Sequence, residues 1–109
     1  MAEDAEIDPD IFCRQIMQES GFQTGLGANP AGAIGIAQIV PKWHPGVNPY
    51  DPFDSLHYAA NLMAGYLAEY GGDWTLGLVR YNGGSGAVIA WMQGRPYEES
   101  QRYVRGILG

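Results

Sequence analysis

Cysteine, histidine and basic residues are all scarce in this chain, and each scarcity removes a class of function. Cysteine occurs once, at Cys13, so no internal disulfide can form and no cysteine-based metal site can be assembled. Lying between Phe12 and Arg14, it reads as a reduced packing residue. His44 and His57 are the two histidines, and neither has a companion at ligand spacing, so neither a metal nor any other cofactor is expected. Lysine and arginine total 6 against 12 acidic residues, a formal net charge of −6. The cations Arg14, Lys42, Arg80, Arg95, Arg102 and Arg105 are scattered along the chain and form no footprint for nucleic acid. Anionic membrane surfaces are disfavoured for the same reason. No apolar run approaches the ~20 residues that cross a bilayer. The opening Met1-Ala2-Glu3-Asp4-Ala5-Glu6 is acidic where a secretion signal carries basic residues, so no leader is expected, and residues 1–7 read as a flexible acidic terminus.

What is present is an ordinary globular balance, with 46% hydrophobic and 17% charged residues in 109. That length suits one domain with a real core, spanning 1–109. The reading centres on Met17-Gln18-Glu19-Ser20-Gly21-Phe22. Upstream, Asp8 is placed to cap a helix and Pro9 to occupy its first position. Phe12, Ile16 and Met17 recur at helical spacing and predict a core-facing side. Gly21 supplies the left-handed stop. Glu19 therefore falls in the last turn, where the helix dipole disfavours a carboxylate. The next acid is Asp51, and the glycine-rich segment between them is mostly apolar. Dipole and apolar surroundings both favour the protonated form, and such an acid can give its proton to a leaving oxygen. A solvated glutamate at a frayed helix end is the plainer alternative.

From Phe22 to about Asn48 the density of glycine, proline and asparagine argues against helix. Gly32-Ala33-Ile34-Gly35-Ile36-Ala37-Gln38-Ile39 predicts a short hairpin followed by a helical turn before Pro41, with close backbone approach at the glycines. A long helix follows, capped by Asp54 or by Asp51 with Pro52 next. Its wide apolar face runs through Leu56, Ala59, Ala60, Leu62, Met63, Tyr66, Leu67 and Tyr70 to a stop at Gly71-Gly72. Asp73 caps a short helix that ends at Asn82-Gly83-Gly84, and Ser85 opens another that ends at Gly94. The last helix runs from about Glu98 to Leu108, with Ser100, Tyr103, Val104, Ile107 and Leu108 on one side. No repeat or low-complexity linker is present. The expected fold is mainly α, with a small irregular or β-like segment after the first helix.

Five blocks of this sequence, in order, resemble those of the soluble lytic transglycosylase catalytic domain, whose lysozyme-like fold is shared with goose-type lysozyme. Glu19-Ser20-Gly21-Phe22 is similar to the catalytic glutamate block. Gly32 to Pro41 resembles the block written GA-x-GLMQ-x-x-P. Asp51-Pro52-Phe53-Asp54 with Asn61-Leu62-Met63-Ala64-Gly65-Tyr66-Leu67 resembles the long-helix block. Arg80-Tyr81-Asn82-Gly83-Gly84 resembles AYNAG, and Pro96 to Val104 resembles PY-x-ET-x-x-YV. The resemblance spans Asp8 to Leu108 and implies an α+β lysozyme-like domain with Glu19 as catalytic acid and base.

Carried over residue by residue, the resemblance implies substrate binding by Gln38, whose amide both donates and accepts and so suits sugar hydroxyls and acetamido groups. It implies the same for Asn29, which stands where a serine is common, and for Tyr81 and Asn82, which would shape the groove. Tyr103 would orient the glutamate through its hydroxyl, a role a buried phenol can fill, and Glu99 matches the family's acidic position. Read without the family, Gln38 suits a solvated turn, Tyr81 and Tyr103 suit core packing, and Glu99 suits a helix start. Ala37 in place of methionine would widen or weaken one sugar subsite. Arg80 replaces a small residue, while Gly83-Gly84 and Ser100 are mild changes.

Most glycosidases flank the scissile bond with two carboxylates, and here only Glu19 occupies the active-site block. The implied reaction has Glu19 protonate the oxygen between N-acetylmuramic acid and N-acetylglucosamine in peptidoglycan. The substrate's own acetamido group would stabilise the sugar carbon, and the C6 hydroxyl would then close a 1,6-anhydro ring. A goose-type muramidase, which admits water, and a non-catalytic wall-binding or structural module are the alternatives. The implied partner is the glycan strand, met at the cell wall by a bacterial enzyme or within a phage tail protein. A larger parent polypeptide is consistent with these motifs, and the domain alone would be a monomer without membrane insertion.

Overall fold

The computed structural model describes residues 6–23, 27–28 and 32–109. Among the described residues four helices succeed one another: α1 (Pro9–Ser20), α2 (Pro52–Glu69), α3 (Trp74–Met92) and α4 (Glu98–Leu108). The chain divides into two units, Met1–Asn61 and Leu62–Gly109, with the division falling inside α2.

In the first unit, α1 begins as its sequence dictates. The Asp8 carboxylate accepts from the backbone N–H groups of Asp10 (2.9 Å) and Ile11 (3.2 Å), and Pro9 follows at the first helical position. Gly21 closes it at φ 64°, donating its N–H to the Met17 carbonyl at 2.9 Å. Phe12, Gln15, Ile16 and Ser20 form the buried face. Cys13 and Met17 are corrections to the sequence reading, since both are exposed. Each follows a buried residue by one position, and a step of about 100° swings it off the buried face.

The glycine-rich segment forms the expected hairpin, with Ile34 and Ile39 exchanging N–H···O bonds of 2.8 and 3.0 Å. The helical turns lie across Pro41 rather than before it: Trp43 N–H donates to the Val40 carbonyl, and His44 N–H to that of Pro41. The Asp51 carboxylate caps α2 by accepting from Phe53 (3.0 Å) and Asp54 (3.2 Å), while Asp54 instead accepts from the Asn48 N–H at 2.7 Å. Ala33, Ile36, Ala37, Ile39, Val47, Ala59 and Ala60 join Phe12 and Ile16 as buried apolar residues of this unit.

In the second unit the Asp73 carboxylate caps α3 by accepting from the Leu76 N–H. The two short helices expected here form one run with a break at Gly84, whose φ of 81° and ψ of −174° are not helical. Val79, Ala87 and Val88 make a core cluster flanked by Tyr70, Leu76, Trp91 and Val104. α3 packs against α4, whose buried face carries Ser100, Tyr103 and Ile107. Among the described residues no helix is long and apolar enough to cross a membrane. Among the described residues the fold is mainly helical, as expected, with a β-like element after α1.

Candidate functional site

Glu19 lies in the last turn of α1 and is half-buried. Its placement is fixed from both sides. On one side Gly21 ends the helix, which obliges the chain to turn immediately after Ser20. On the other, the Ser20 hydroxyl donates to the Ile36 carbonyl at 2.6 Å, tying the helix end to the hairpin. No acidic residue stands between Glu19 and Asp51 in the sequence. Among the described residues, no three His, Cys, Asp or Glu are grouped as a metal site would require.

Gln38 sits in the turn of that hairpin, half-buried. Its φ of 50° is left-handed, an uncommon choice for a residue with a side chain, and its Nε2 donates to the Gly35 carbonyl at 2.8 Å. One amide donor is therefore committed to holding the turn. Gly35 itself has φ 77°, and a Cβ there would stand 2.0 Å from the Pro49 carbonyl oxygen. Only glycine allows this approach, so the loop through Pro49 rests directly on hairpin backbone. Ala37 is fully buried, and its methyl faces packing rather than solvent. The Ser20 bond ties the end of α1 that carries Glu19 to the hairpin that carries Gln38. Asn29 lies outside the described residues.

In the second unit, Tyr81 and Asn82 are half-buried on α3, just ahead of the break at Gly84. Tyr103 lies on the buried face of α4, at 6% exposure, whereas Glu99 is exposed in the first turn of that helix. The exposure of Glu99 suits a charge placed at a helix start. Arg80 holds its guanidinium 4.8 Å from the centre of the Tyr66 ring, a cation–π contact linking α3 to α2 within this unit.

Three features here escaped the sequence reading. The Ser20 tether needs a partner sixteen residues away, which no local pattern signals. The Arg80–Tyr66 contact joins two helices. Gln15 is the third: it is fully buried on α1, four positions before Glu19, and neither atom of its amide has a hydrogen-bond partner. A polar residue inside an apolar periodicity was its available signal.

Two solved structures share this arrangement of elements. One is the 70 kDa soluble lytic transglycosylase Slt70 of Escherichia coli, at TM-score 0.81 and 22% identity over 94% of this chain. The other is an inactive mutant of the lytic transglycosylase Slt from Pseudomonas aeruginosa, at TM-score 0.75 and 18% identity over 98% of this chain. At such identities the likeness bears on the fold. The chain spans 21% of each of those longer chains. At the sequence level, residues 1–104 match the transglycosylase SLT domain family. The chain therefore belongs to the transglycosylase SLT domain family.

Proposed function

We propose that this chain cleaves the β-1,4 bond between N-acetylmuramic acid and N-acetylglucosamine in peptidoglycan as a lytic transglycosylase, with Glu19 as the single acid and base. The observation that carries the proposal is the fixed, half-buried position of Glu19 at the end of α1, held by the Gly21 stop and the Ser20–Ile36 bond. In its protonated form Glu19 gives its proton to the leaving oxygen. After that transfer the ionised Glu19 takes the proton of the muramic C6 hydroxyl, which attacks the anomeric carbon and closes the 1,6-anhydro ring. The substrate's acetamido oxygen shields that carbon in between, so no protein nucleophile is required.

The remaining roles are those that the family resemblance implies. Gln38 and Asn29 contact sugar hydroxyl and acetamido groups. Tyr81 and Asn82 bind the glycan, and Tyr103 is a positioning residue by the same resemblance. Glu99, being exposed, serves the start of α4. The family's association with glycan cleavage supports action at the cell wall, on glycan strands. The 21% share of the two longer transglycosylases supports a place within a larger polypeptide.

The test is mass spectrometry of fragments released from purified peptidoglycan by the wild-type protein and by Glu19→Gln. Anhydro-muramic ends made by the wild type and not by Glu19→Gln are the expected result. Reducing ends would identify a hydrolase, and fragment release by Glu19→Gln would remove Glu19 from the mechanism.

A further inference from the structure

Gln15 is the one long polar side chain, among the described residues, that is both fully buried and without any hydrogen-bond partner. Ser55 is also buried with its hydroxyl unpartnered, but a helical serine can rotate onto the carbonyl four residues back, here that of Asp51. A glutamine amide has no such local solution. It brings two donor hydrogens and an acceptor oxygen into the interior, and each left unmade carries the full cost of desolvation. Leucine or methionine would fill the same volume without that cost. A buried glutamine there is satisfied only by a polar partner within its reach.

Its position indicates which one. Gln15 and Glu19 are four apart on α1 and so lie one above the other on a single face. Helical side chains lean toward the N-terminus, so the Glu19 side chain lies back over the turn that bears Gln15. Neither amide atom of Gln15 has a hydrogen-bond partner, so no direct bond joins the two side chains. A bridging molecule with both donor and acceptor capacity would satisfy the amide.

We propose that Gln15 is a positioning residue for Glu19, a reading that rests on the proposed catalytic role of Glu19. Its amide holds one internal water, donating to it through Nε2, and that water donates in turn to the Glu19 carboxyl. Internal waters of this kind satisfy two to four buried polar groups and are costly to remove. The bridge restricts the carboxyl to the orientation from which it meets the glycosidic oxygen. It adds no binding contact with substrate, so its effect falls on the chemical step.

The experiment compares wild type with Gln15→Met by thermal unfolding, by kcat and KM on purified peptidoglycan, and by the 13C resonance of the Glu19 carboxyl. Methionine fills a similar volume, and thermal unfolding verifies that Gln15→Met is folded under the assay conditions. The expected result is kcat lowered about tenfold with KM nearly unchanged, as a mispositioned group produces, together with a displaced Glu19 carboxyl resonance. Unchanged kcat and an unmoved resonance in a stably folded Gln15→Met would overturn the proposal. The resonance reads the bridge whatever product the enzyme makes, so a failure of the transglycosylase reading is seen separately, in the fragments released by the wild type.

Discussion

The Ser20 hydroxyl and the Ile36 carbonyl oxygen lie 2.6 Å apart, and this bond joins the helix end that presents Glu19 to the turn that presents Gln38. Ser20 also reaches the Ile16 carbonyl at 3.4 Å, a longer contact within its own helix. The short bond therefore dominates its orientation. Its geometric consequence is that the segment bearing the proposed acid is anchored to the segment bearing a proposed sugar-binding amide.

Ser20→Ala removes that bond and leaves the buried Ile36 carbonyl without its donor. The expected loss of stability is about 1–3 kcal/mol, the usual cost of an unsatisfied buried polar group. Activity should fall by more than the folded fraction does, because the hairpin can then shift against α1. Glycan-cleavage rates measured well below the unfolding midpoint separate the two effects. Full activity in folded Ser20→Ala would show that the tether serves stability alone.

Gly35→Ala tests the close approach of the Pro49 loop. The new methyl would meet the Pro49 carbonyl oxygen at 2.0 Å, and the residue would keep a φ of 77° that disfavours any Cβ. Left-handed backbone costs about 1–2 kcal/mol for an L-residue, and a rigid clash adds about 1–3 kcal/mol. Denaturant unfolding should show a destabilisation near the upper end of that combined range. A wild-type midpoint would mean that the loop through Pro49 yields freely.

How far the sequence announced this structure depended on the range of each interaction. The ends of α1, the cap of α3 and the stop at Gly84 were legible because capping is decided within three or four residues. Asp51 and Asp54 illustrate the boundary of that method: both suit a cap, and only the tertiary bond from Asn48 to Asp54 assigns the role to Asp51. Cys13 and Met17 were read as inward because composition said apolar, whereas the helix had room on its buried face for Phe12, Gln15, Ile16 and Ser20. Glu19 stood out through its misplaced charge. The devices that hold it, Ser20 to Ile36 and Gly35 beneath Pro49, join residues more than a dozen positions apart and left no trace in spacing.

Gly83→Ala restores the residue of the related AYNAG pattern, and the structure opposes it. A Cβ on Gly83 would lie 2.6 Å from the Cβ of Ala87, which has no rotamer with which to retreat. Helix propensity alone favours alanine over glycine by about 1 kcal/mol. Overpacking costs about 1–3 kcal/mol, so the clash should win and the melting temperature should fall. A raised melting temperature would show that the backbone near the Gly84 break relaxes at little cost.

Glu19→Gln should separate function from stability. A carboxylate in the last turn of a helix opposes the dipole, at a cost of about 0.3–1 kcal/mol, and glutamine keeps the shape without the charge. Its amide cannot deliver the proton that departure of the sugar oxygen requires, so turnover should fall by at least about a hundredfold. Unfolding of the same preparation should show equal or slightly greater stability than wild type. Residues that raise stability when neutralised while abolishing activity mark places where chemistry outweighs packing. Loss of stability in parallel with activity would instead make Glu19 a structural residue whose interactions hold α1 in place.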